Sequence, residues 1–190
     1  MKNISLVGEA DVVVEFFEYS INSILYQREL YSPDCFKMVK KYNLSLFVSQ
    51  DEALSKYLAQ ILNQVKTWIA TRQIWSLVLV LIDKDTLQVR ERWQFELSIT
   101  KENKERKEKE IHAEISAIIR QITASVGFLP ILPENMTFTV LAYTDKNIQV
   151  PSEWIDSDAK LIADPTIVKL RSLNTNDYKI DSMVSYKLQE

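Results

Sequence analysis

Six consecutive aliphatic residues, Leu77 to Ile82, lie within the stretch WSLVLVLID and restrict the architecture more than any other feature of the chain. The run is far shorter than the ~20 residues that cross a bilayer, so it reads as a strand buried on both faces. Such a strand needs partners along its edges and cover for its faces. One partner follows at once: VRERWQFELSI alternates from Val89 through Trp93, Phe95, Leu97 and Ile99, close enough to make a hairpin. YNLSLFVS also alternates, and TFTVLAYT, residues 137–144, gives a further strand. IVKLRSLN and YKIDSMVSYKL form a terminal hairpin about the turn residues NTND.

Three segments carry helical period. From Glu9 to Arg28 the residues Val13, Phe17, Ile21 and Ile24 return every three or four positions. In the second segment Ser49 and Glu52 have the spacing of a capping box, and Leu54, Tyr57, Leu58, Ile61, Leu62, Val65, Trp68 and Ile69 form one apolar stripe. The third begins in KENKERKEKE, where Glu102 and Arg106, and Glu105 and Lys109, stand four apart. This run is nearly neutral and reads as a solvated helical extension or loop. Ile111, Ile115, Ile118, Ile119 and Ile122 then supply a core stripe, stopped by Pro130 and Pro133. A chain of 190 residues without repeats supports one core. The expected fold is α+β, a single domain over 1–190 with helices on one face of a mainly antiparallel sheet.

Residues suited to chemistry are sparse. The two glycines, Gly8 and Gly127, cannot build a phosphate-cradling loop. His112 is the single histidine and Cys35 the single cysteine, so neither a triad nor a cysteine-built metal site is expected. Asp83 with Asp85, and Asp156 with Asp158, fall where aspartate caps turns. A net charge of −3 gives no footprint for nucleic acid, and no apolar span reaches membrane length. The start, MKNISLVGEADVV, has no secretory pattern, which points to the cytoplasm or nucleus. No enzyme activity and no cofactor are expected. One surface is unusual: opposite the isoleucine stripe, Ala113, Ala117 and Ala124 surround Arg120, with Ser116 and Thr123 at the flanks. Small neighbours expose a five-donor side chain and let another backbone approach, which suits a protein interface.

The strings EFFEYSINSILYQR, ERWQFE, IIRQITASVGFLPIL, TFTVLAYTDK, VPSEW and LRSLNTNDYKIDSMVSYK occur in this order. Together they resemble the HORMA-domain family, in its spindle assembly checkpoint branch. The resemblance implies a sheet backed by three helices, with a mobile C-terminal "safety belt" from about residue 146 to 190. In the family's open form the terminal hairpin covers a sheet edge; in the closed form it crosses the sheet and traps a partner peptide by β-augmentation. By position, Leu141 and Tyr143 on the strand 137–144 would meet the peptide, and Trp154 would lie in the belt. Arg120, Gln121 and Phe128 match the family's interface between open and closed copies.

The implied partners are a coiled-coil kinetochore checkpoint protein of the mitotic-arrest-deficient-one type and the activator subunit of the anaphase-promoting complex. The implied locations are nucleus and kinetochore, also cytoplasm. The other HORMA role, accessory subunit of a translesion DNA polymerase, would use the same belt on other peptides. Two departures stand out: Glu29 replaces a glycine that would end the first helix, and Gly127 replaces a threonine beside the interface.

Overall fold

A computed structural model describes residues 5–101 and 104–188, with side chains from residue 8 onward. Helix α1 (Ser5–Gln27) is followed by a hairpin of β1 (Phe36–Lys41) and β2 (Leu44–Ser49), then by α2 (Glu52–Ala70). Next come β3 (Ile74–Asp83), β4 (Val89–Ile99), α3 (Glu108–Ala124) and β5 (Met136–Thr144). The chain ends in β6 (Thr166–Lys169), β7 (Leu173–Asn174) and β8 (Tyr178–Tyr186). β5, β3, β4, β8 and β6 form an antiparallel sheet in that order, and β7 also pairs with β8.

The aliphatic run is the interior strand it was expected to be. β3 has β4 on one side and β5 on the other, and Leu77 to Leu81 are all buried. Alternation along β4 sends Trp93, Phe95 and Leu97 to the helix side, where Phe16 and Phe17 of α1 meet Phe95 edge-on. The isoleucine stripe of α3 and the predicted stripe of α2 are buried, except that Tyr57 is exposed.

Several local expectations change. The cap of α2 is Asp51, two residues later than the Ser49 box predicts, because the Asp51 carboxylate accepts from the Leu54 amide at 2.8 Å. Ser49 is instead the last residue of β2, its amide donating to Asn22. The predicted strand 42–49 is only half a hairpin, since β1 precedes it and Tyr42–Asn43 form its turn. Helix α3 starts at Glu108, so Glu105 and Lys109 do not share a helical face. Glu102 lies outside the described residues, and Arg106 bonds Glu114 instead.

Left-handed turns are made without glycine: Glu29, Tyr42, Asn43, Arg72, Leu87, Lys160 and Asp164 all have positive φ, at roughly 1–2 kcal/mol each for the backbone alone. Glu29 keeps the helix-ending geometry that glycine would favour. At φ 56° its amide donates to Tyr26, and the Leu30 amide donates to Leu25. At the β3–β4 turn Asp83 accepts from the Asp85 and Thr86 amides and from Arg90. These bonds hold its carboxyl at about 2, led by Arg90, so they persist until pH falls toward that value.

The end of α1 is fastened to the sheet by a buried ion pair. Arg28 donates to both carboxylate oxygens of Glu91, at 2.9 Å and 3.1 Å through Nε, and also to the Pro130 carbonyl. Burial pushes the Glu91 carboxyl up, while Arg28 and the Trp93 ring N–H oppose that push. Replacing one member strands the other charge where water cannot reach it. Glu91→Ala is expected to lose about 3–5 kcal/mol in urea unfolding, and Arg28→Met with Glu91→Leu together should recover much of that loss.

Candidate functional site

β5 ends the sheet, and no described strand pairs with its outer side. From Thr137 to Ala142 its residues are half-buried, as suits an edge with only one neighbour. After Thr144 the chain leaves β5, bends at Pro151–Trp154, and comes back alongside it. Trp154 lies edge-on to Trp68 of α2, ring centres 4.9 Å apart, which anchors the segment on the helix side. At Ala159 it reaches the opposite face of the sheet, where Arg92 donates to the Ala159 carbonyl. The segment therefore wraps round the free edge of β5.

Between the segment and the strand runs a slot of about 290 Å³. Trp68, Val140, Ala142, Val150 and Trp154 give it an apolar side, and Asp156 and Asp158 stand at the rim. The Asp158 carboxyl is held below its ordinary value by the bond from Lys160. A strand-edge backbone beside apolar recesses can bind an extended peptide, with ladder hydrogen bonds for affinity and recesses for alternate side chains. The structure thus brings Leu141, Tyr143 and Trp154 to one slot.

The terminal hairpin lies on the far side of the sheet from β5. β8 runs along the whole of β4, from Glu91 opposite Tyr186 to Ile99 opposite Tyr178. This is the arrangement that the resemblance assigns to the closed form. Tyr178, Ile180, Val184 and Tyr186 are buried, whereas Leu188, predicted to share their face, is exposed. The Tyr178 hydroxyl donates to the Ile69 carbonyl at 2.6 Å, and burial raises its pKa.

Side chains from α1 and α3 grip β7 and the residues on either side of it, and these were not legible in the sequence. Glu9, 6% exposed, accepts from the Asn176 amide and side chain. Glu114 accepts from the Asn174 amide at 2.7 Å, and Gln121 accepts from the Arg171 amide at 2.7 Å. Gln121, expected at an interface between copies, is therefore also a tie within the chain. Only the break in apolar spacing at Glu9 and Glu114 marks them, and exposed helical glutamates look the same.

Arg120 is exposed on α3, and its side chain makes no hydrogen bond or ion pair with a described residue. Ala113 and Ala124 are exposed beside it, while Ser116, expected at the flank, is buried. Phe128 is 44% exposed with its ring 6.2 Å from that of Tyr186, so this end of α3 and the terminal hairpin share one surface. His112 stands against the Tyr42 ring and near Glu108. No group of three metal-ligating side chains occurs among the described residues.

The HORMA domain family model matches residues 10–177. The chain belongs to the HORMA-domain family. Within that family it resembles the spindle checkpoint proteins: it is 49% identical to the mitotic spindle assembly checkpoint protein MAD2A of Dictyostelium discoideum, over 98% of this chain and 94% of the relative. A chain in the crystal structure of the mitotic checkpoint complex superposes with a TM-score of 0.90 at 43% identity, covering 95% of this chain and 99% of that one. C. elegans HTP-2 bound to the HIM-3 closure motif shares the fold, with a TM-score of 0.82 at 12% identity over 97% and 93% of the two chains.

The grip on β7 gives a specific expectation. Glu114→Gln keeps the shape of the side chain but removes its charge, and should weaken docking of the hairpin by about 1–2 kcal/mol. Hydrogen exchange should then quicken across 170–180 while the amides of α2 keep their protection.

Proposed function

We propose that this chain captures an extended segment of a partner protein as a strand added to β5, with residues 146–190 acting as a mobile belt closed over it. Its function lies in the spindle assembly checkpoint, which the likeness to checkpoint proteins over nearly the full length supports. The observation that carries the capture mechanism is the unpaired edge of β5 facing an apolar slot. The chain works as an adaptor and not as an enzyme. Its partners are a coiled-coil kinetochore protein of the mitotic-arrest-deficient-one type and the activator of the anaphase-promoting complex, whose sequestration delays anaphase. It acts in the nucleus and at kinetochores, and also in the cytoplasm. Checkpoint relatives, not polymerase subunits, are the proteins it resembles at 49% identity, so the translesion role is not favoured.

Self-association between an open and a closed copy uses Arg120, Gln121 and Phe128. Because Arg120 is exposed and lies outside the slot, the two activities are separable. Arg120→Glu should weaken self-association by about 2 kcal/mol or more in sedimentation, as for an interface hot spot, and leave peptide affinity within twofold. Equal loss of both, with the fold intact, would argue against two surfaces. For the checkpoint role, Dictyostelium discoideum cells lacking their own relative should regain mitotic delay under microtubule poisons when given the wild-type chain. A chain that is expressed and folded but restores no delay would overturn that assignment.

A further inference from the structure

We propose that Arg92 is the buckle of the belt, tying Ala159 to Tyr143 and closing the loop 143–159 into a ring round the captured segment. This rests on the capture reading above. Alternation along β4 puts Glu91, Trp93, Phe95 and Leu97 on the helix side, so Arg92, Gln94 and Glu96 face the other way. A cation on that open face would ordinarily sit in water. Arg92 is instead only 6% exposed, because the belt lies over it.

Its donors reach two elements that the chain connects only through the loop. Nε donates to the Ala159 carbonyl at 3.2 Å, Nη2 donates to the Tyr143 hydroxyl oxygen at 2.9 Å, and Nη1 donates to Gln94. From Tyr143 the backbone leaves β5, runs past Trp154 and returns at Ala159. The guanidinium joins the two ends of that excursion, and the slot lies inside the ring so formed. Between Ile155 and Pro165 no other hydrogen bond to β3, β4, β5 or β8 occurs among the described residues. The remaining described bonds there, from Ser157 and Lys160 to Asp158, stay within the belt.

Two features mark this as a device and not a chance contact. Arg92 has no carboxylate partner among the described residues, and a buried guanidinium bonded only to neutral groups has given up water without a counter-ion. Further, the belt turns at Lys160 through φ 47°, a left-handed conformation, directly after the gripped carbonyl. The fork geometry matters: arginine holds two acceptors in fixed directions, whereas lysine offers a single mobile point charge.

The test uses the full chain and separates the buckle from capture. Without any peptide, tryptic cleavage after Lys160 should quicken about tenfold or more in Arg92→Ala, the effect of losing two bonds to a charged donor, with cleavage at Lys56 and Lys66 of α2 unchanged. Arg92→Lys should fall between, and Tyr143→Phe, which removes one bond, should give a smaller rise. If Arg92→Ala loses protection everywhere, those two milder variants carry the comparison. A peptide selected on the wild-type chain from a random twelve-residue display library then serves as probe, and should leave Arg92→Ala about tenfold faster. Unchanged cleavage after Lys160 overturns the buckle, as does peptide release at the wild-type rate. Failure of the library to yield any peptide held by the wild-type chain overturns the capture reading itself.

Discussion

The pairing of β8 with β4 governs the rest of the molecule. β4 has β3 along one edge, and its other edge would be a bare ladder of amides and carbonyls without β8. By covering it over nine consecutive registers, β8 leaves β5 as the long edge at one end of the sheet, the other end being the four-residue β6. It also draws the chain before it across the outer face, since residues between Thr144 and Thr166 must travel from one end of the sheet to the other. The belt, the slot and the surface shared by Phe128 and Tyr186 all follow from this strand's position.

What holds β8 is divided between burial and a few directed bonds. Tyr178, Ile180, Val184 and Tyr186 are nearly inaccessible, and each such side chain contributes on the order of 1.5–3 kcal/mol by leaving water. The chain leading into the strand, from Arg171 to Asn176, is held by carboxylates and an amide from the helices, Glu9, Glu114 and Gln121. Burial supplies most of the magnitude, and the directed bonds supply register, because a shift by one residue would turn the apolar set outward and leave the carboxylates facing carbonyls. The belt before it has less of both: Ile155 and Leu161 are largely exposed, and its ties are the Trp154 ring on Trp68 and the Arg92 bond to Ala159. It is therefore the weakly held part of a firmly held terminal segment.

Much of this was legible in the chain. The aliphatic run of β3, the alternation of β4 and the stripes of α2 and α3 are strong periodic signals, because burial on one or both faces writes itself into residue spacing. The slot residues Leu141, Tyr143 and Trp154 came from resemblance, and nothing in their spacing would have joined a strand to a loop eleven residues beyond Tyr143. β1 was missed because FKMVKK leaves only Phe36 buried and carries lysines on a hairpin packed by its other strand. The α2 cap was misplaced because Ser49 and Glu52 have the spacing of a capping box, whereas β2 runs through Ser49 and leaves the cap to Asp51. Arg92 and Glu91 are adjacent charged residues in ERWQFE, yet both are buried, one by the end of α1 and the other by the belt. Alternation told which face each took; what covered that face depended on distant chain.

The ring has a topological consequence. One side is covalent backbone from Tyr143 to Ala159, and the other is closed by Arg92 and, beyond it, by the docking of β8 on β4. An extended segment with free ends could be threaded through such a ring, but a segment in the middle of a long folded partner could not. To admit it, the belt must come off the sheet, and because the belt leads directly into β6 and β8, full opening requires the terminal strands to leave as well. That step gives up the burial of four large side chains and nine registers of pairing at once, so capture and release of an internal segment share one high barrier. On the proposed capture, slow exchange would be a property of the connectivity and not of the slot, whose modest volume and exposed rim would by themselves let a peptide go quickly.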